Sequence, residues 1–117
     1  MNNKISLLEK KIGINFKDKK LLIKSLTHKS FNSNNNYEKL EFLGDRVLGL
    51  IISKTLLEIF PDDNEGSLDK KLASLVNRKK CCEISKKLNL ESFIVTGNAK
   101  SKKNKIEDKI VSDVCEA

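Results

Sequence analysis

The chain has no tryptophan, one proline, one tyrosine, one histidine and one methionine, with only five glycines and three cysteines among its 117 residues. Each scarcity excludes something. Aromatic residues make up 5% of the chain, so aliphatic side chains have to build the core. With a single proline, Pro61, and few glycines, long runs of helix formers go uninterrupted. No alternating stretch of strand length stands out, and the fold class is expected to be all-α. Cys81, Cys82 and Cys115 are odd in number, two of them are adjacent, and no Cys-x-x-Cys occurs. Zinc sites and disulfide frameworks need other spacings, so these read as reduced, partly buried thiols. His28 lacks a second His or Cys at ligand spacing and reads as structural. The longest apolar stretch, 47–52, is far too short to cross a bilayer, and 1–11 is polar and charged, unlike a signal peptide. No membrane partner is expected, and the default compartment is cytoplasmic. There is no glycine-rich phosphate loop and no internal repeat.

What is present is charge. Charged residues are 33% of the chain, the net charge is +7 and the isoelectric point is near 9.3. The length suits one domain with one core, and the basic balance favours a polyanionic partner. Amphipathic periodicity predicts short helices over 3–11, with Ile5, Leu7 and Leu8, and over 19–28, with Leu21, Leu22, Ser25 and Leu26 and Asp18 as cap. A polar loop over 31–36 precedes a long helix over 37–60, stopped by Pro61. Ser67 is placed to cap a helix lined by Leu68, Leu72, Leu75 and Val76. A break near Asn77 and Arg78 leads into a helix carrying Cys82, Ile84 and Leu88. After a short turn or extended piece at 90–95 and a basic loop at 96–104, a last helix is expected over 105–117.

The long helix opens with Glu38, Glu41 and Asp45. At about 100° per residue these carboxylates fall within roughly 60° of one another. Like charges on one stripe repel, and no lysine or arginine lies on that stripe, although the chain has 23 basic residues. A stripe of this kind suits a hard cation. The plainer reading is a helix N-terminus that welcomes acidic residues through its dipole, which accounts for Glu38 and not for Asp45. Leu40, Leu43, Val47, Leu50, Ile51 and Leu57 define an expected core face. Leu48, Ile52, Leu56 and Ile59 continue down the carboxylate side, so that side is expected to become buried about a turn further along. Gly44 would let another backbone approach closely. A second acidic pair, Asp113 and Glu116, shares one face of the last helix among apolar neighbours. That helix reaches the last residue without a stop signal, as if the chain were cut in mid-helix.

These elements resemble the ribonuclease III family. YEKLEFLGDRVLG at 37–49 is similar to its signature, approximately ERLEFLGDSVL. THKS at 27–30 resembles its THxS element, PDDNEG at 61–66 its P-x-x-x-E-G turn, LVN at 75–77 its LVS-like run, and IVSDVCEA at 110–117 its ILADxxEA motif. The elements keep the family's order and cover essentially the whole chain. The resemblance implies the helical fold of the ribonuclease III endonuclease domain, lacking its C-terminal end and any double-stranded-RNA-binding domain. It implies magnesium, replaceable by manganese, on Glu41, Asp45, Asp113 and Glu116, with Asp45 and Glu116 the most critical for catalysis. Glu38 and Glu65 match acidic positions near the site that support it or contact substrate, and Phe42 matches a residue inserted into the partner of a homodimer. The implied activity is hydrolysis of double-stranded RNA to 5′-phosphate and 3′-hydroxyl ends, as in processing of ribosomal and other precursor RNAs. Lys100, Lys102, Lys103 and Lys105 could grip phosphates, or could simply be a solvated loop. Arg46 departs from the small residue common in the family. The competing classes are a non-catalytic RNA-binding or structural module, a fragment inactive through truncation and, more weakly, a helical DNA-binding module.

Overall fold

Short polar side chains set the helix starts. Asp18 accepts a bond from the Leu21 amide at 3.0 Å, Asn64 from Ser67 at 2.9 Å and Asn77 from Lys80 at 2.8 Å. Each satisfies an amide that the first helical turn leaves without a partner. Asn64 rather than Ser67 is therefore the cap of the fourth helix: Ser67 supplies the amide that is capped.

The computed structural model describes residues 2–97 and 106–117. Among these, the helices are α1 (Asn2–Ile12), α2 (Lys19–Ser25), α3 (Glu38–Ile59), α4 (Glu65–Leu75), α5 (Arg78–Lys87) and α6 (Asp108–Glu116), with a 3-10 turn at Leu90–Phe93. The all-α expectation holds for the described residues. The second helix is shorter than its periodicity suggested, because Leu26 ends it and Thr27 turns away to pair with Val95. Gly13, at φ 72°, ends α1, and its amide and that of Ile14 return to the Glu9 carbonyl. Glycine reaches this left-handed conformation without a Cβ penalty.

The core is aliphatic apart from Tyr37 and Cys82. Ile5, Leu8, Leu22, Leu26, Leu90, Ile106, Ile110, Val111 and Val114 are all buried. Helix α6 runs through it, with α5 packed most extensively against it. Leu7 and Leu21, expected on inner faces, are exposed instead.

Helix α3 reverses the expected core face. Leu43, Val47, Leu50, Ile51 and Leu57 are exposed, and Leu40 is half-buried. The carboxylate side turns inward further along, as expected of it: Leu56 is buried, and Leu48 and Ile52 are half-buried, though Ile59 is exposed. Periodicity finds an apolar face without saying what covers it. Here both sides of α3 are apolar over much of its length, and α6 takes the side that offers Gly44.

Candidate functional site

Gly44 determines how α3 and α6 meet. A Cβ placed there would lie 1.7 Å from the carbonyl oxygen of Glu116 and 2.7 Å from its carbonyl carbon. Only glycine admits the α6 backbone this closely, which is the close approach expected of this position. The Ala117 amide donates to the Asp113 carbonyl at 2.9 Å, closing the turn that carries Glu116. The second acidic pair is thus delivered onto the carboxylate stripe of α3.

Glu41, Asp113 and Glu116 each offer a carboxylate oxygen, and these oxygens lie within 4.8 Å of one another. Asp45 is outside this tightest group but adjoins Glu116. The Glu116 carboxyl is pushed up to about 7, first by burial and then by the charges of Asp45 and Glu41. A carboxyl that resists ionisation because others crowd it marks an excess of negative charge. Oxygen donors converging from two helices suit a hard divalent cation.

Asp113 is the buried member, and two donors hold it. Tyr37 donates its hydroxyl to Oδ2 at 3.1 Å, and Lys109 donates its ammonium to the same oxygen at 2.7 Å. Burial and the Asp113 charge raise the Tyr37 phenol far above its ordinary range, so it stays a donor. The bond to Asp113 also raises Lys109, which stays charged. Sequence reasoning missed both residues. The α3 carboxylates were expected to be unpaired, but Arg46 pairs with Asp45 at 3.5 Å, and a further base arrives from α6. Its signal was the i,i+4 spacing of Lys109 and Asp113. Tyr37 offered no comparable signal.

His28 stands beside Tyr37, with ring centroids 5.9 Å apart. Its Nδ1 accepts from the Ser30 amide at 3.0 Å and lies 2.8 Å from the Ser30 hydroxyl. Ser30 Oγ in turn accepts from the Gly97 amide at 3.0 Å. Burial, then Lys29, lowers the imidazole from its ordinary value. This is a neutral ring in a structural strap, as its lack of metal-ligand partners suggested. A Cβ on Gly97 would lie 2.4 Å from the Ser30 carbonyl oxygen, so the strap also depends on a glycine. Behind Glu116, burial pushes the Cys81 thiol up to about 12, and all three cysteines are free.

The remaining expected residues are not members of this converging group. Glu38 is exposed on the first turn of α3. Glu65 opens α4 and lines a recess of about 170 Å³ with Ser53, Leu56 and Leu57. Ser53 is itself about 12 Å beyond Asp45 along α3, at 1.5 Å per residue. Phe42 is exposed, and Arg46 stacks its guanidinium 4.0 Å from the ring centre while reaching Asp45 only at 3.5 Å. Arg46 therefore keeps a long, exposed ion pair with Asp45 while it stacks on Phe42. Lys100, Lys102, Lys103 and Lys105 lie outside the described residues.

Known proteins are similar to this chain in sequence and fold. The chain is 66% identical over 110 residues to Ribonuclease 3 of Pelagibacter ubique (strain HTCC1062), covering 94% of this chain and 50% of that protein. Against Ribonuclease 3 of Campylobacter jejuni serotype O:2 it is 46% identical over 114 residues, covering 97% of this chain and 51% of the relative. It therefore spans about half the length of these curated relatives. It superimposes on the solved nuclease domain of ribonuclease III from Campylobacter jejuni with a TM-score of 0.87 at 45% identity, covering 93% of this chain and 77% of that one. A family model described as Ribonuclease-III-like matches residues 18–117, and with these relatives it shows that the chain belongs to the ribonuclease-III-like family.

Proposed function

We propose that this chain forms the nuclease part of an enzyme that hydrolyses phosphodiester bonds in double-stranded RNA, leaving 5′-phosphate and 3′-hydroxyl ends. The convergence of Glu41, Asp113 and Glu116 within 4.8 Å, with Asp45 beside Glu116, carries this reading. Magnesium is the ion this reading takes, with manganese able to replace it. Carboxylate oxygens from α3 and α6 are the hard donors it takes. When bound, such an ion polarises the phosphoryl group, lowers the pKa of a water nucleophile and stabilises the leaving oxygen. The protein contributes position. Tyr37 and Lys109 fix Asp113, and the Gly44 contact fixes the turn carrying Glu116.

The Campylobacter jejuni nuclease domain has been described for flexibility in a region involved in dimer formation. By analogy, two copies of this chain pair, with Phe42 and the bare apolar face of α3 between them. Duplex RNA would be recognised through phosphates and 2′-hydroxyls rather than base edges. The substrate class extends to precursors of ribosomal and other RNAs in the cytoplasm.

The direct test is cleavage of a long RNA duplex with and without magnesium. Asp45→Asn and Glu116→Gln should each lower cleavage by at least about a hundredfold, the usual cost of losing a group that supports the transition state. Duplex binding that persists without magnesium-dependent cutting would favour a binding module. Neutralising Lys100, Lys102, Lys103 and Lys105 should weaken duplex binding and flatten its salt dependence.

A further inference from the structure

The acidic cluster carries a cation of its own. Lys109 approaches Asp113 Oδ2 at 2.7 Å from one turn earlier on α6, and the charge of Glu41, across on α3, also acts on it. The Lys109 side chain is 61% exposed, whereas that of Asp113 is 11% exposed. We propose that Lys109 is a built-in counter-ion that sets how tightly the carboxylate cluster takes a divalent cation, an inference that rests on the metal-site reading above.

Two observations separate this role from simple support of Asp113. First, Tyr37 already orients Asp113: its hydroxyl donates to the same oxygen from a buried position and brings no charge. What Lys109 adds is mainly positive charge. Second, that charge sits on a flexible, exposed stem rather than in the core. The ammonium can withdraw into solvent without disturbing packing. Before metal binds, it offsets repulsion among the carboxylates. A divalent cation entering the cluster meets a like charge within a few ångströms and has to overcome it. Arg46, the other nearby cation, stacks on the Phe42 ring, donates to the Phe42 carbonyl and reaches only Asp45, at 3.5 Å and outside the tightest group of carboxylates. Lys109 is therefore the base best placed to tune affinity.

Manganese binding to the 117-residue chain, followed by electron paramagnetic resonance with magnesium as competitor, tests this without any cleavage assay. Lys109→Met should bind manganese about three- to fivefold more tightly, the size expected of one partly exposed ion pair. Lys109→Arg, which keeps the charge, should stay close to the unsubstituted chain. The metal-free Lys109→Met chain should melt at a lower temperature, and magnesium should raise that temperature more than it does for the unsubstituted chain. If Glu41→Gln abolishes manganese binding while Lys109→Met binds equally or more weakly, the counter-ion role is overturned and the metal site stands. If the unsubstituted chain binds no manganese, both readings fall.

Discussion

Glu116 shows how the cluster responds to pH. Its carboxyl, ordinarily near 4.5, is held up to about 7 by burial and by the charges of Asp45 and Glu41. The folded chain therefore keeps a proton that the unfolded chain releases between those two values. Over that window the unfolded state binds fewer protons, so stability without metal falls as pH rises from about 4.5 to about 7, then levels. Glu116→Gln should remove this slope, as read from urea midpoints across the window. Divalent binding favours the ionised carboxylate, so apparent affinity should rise with pH through about 7. Tyr37→Phe should cost about 1–3 kcal/mol in urea unfolding, because buried Asp113 loses a donor. The carboxylates themselves were legible in the sequence, since helical spacing places Glu41 with Asp45 and Asp113 with Glu116. The Tyr37–Asp113 bond joins residues 76 apart; no local pattern encodes it.

At the scale of elements, two glycines in α3 make a matched pair. A Cβ at Gly44 would strike the Glu116 backbone, whereas one at Gly49 would meet nothing within 4 Å. Gly44→Ala should destabilise the chain by about 1–3 kcal/mol through overpacking, and should move Glu116 away from Glu41, lowering manganese affinity. Gly49→Ala should instead strengthen the helix by roughly 0.5–1 kcal/mol, since alanine orders more readily than glycine there. Urea unfolding with parallel manganese titration distinguishes the two. Gly44 was readable as a point of close approach, and α6 proved to be the element that approaches. Asp18 was readable as a cap because an N-cap is local chemistry; near Asn77 only the break was read, and the structure makes Asn77 the cap of α5. Ser67 misled because Asn64, three residues earlier, is the cap and Ser67 supplies the amide that it caps.

On the scale of the whole molecule, the unusual feature is the outward face of α3. Leu50 is 72% exposed, and Phe42, Leu43, Val47, Ile51 and Leu57 are exposed to a lesser degree. A contiguous apolar surface in water is costly and marks an interaction site. Sequence periodicity assigned this face to the core because a buried face and an interface have the same composition; a single chain cannot tell them apart. If two copies pair through it, Leu50→Lys should convert a dimer into a monomer in sedimentation velocity. Helicity should be unchanged, since the Leu50 side chain is largely exposed within its own chain. Manganese binding should also survive, because Glu41, Asp113 and Glu116 converge within one chain. Loss of manganese binding on monomerisation would mean that the partner helps to hold the cluster. A chain that remains monomeric at the highest attainable concentration would leave the α3 face without its proposed partner, and the pairing would have to be abandoned.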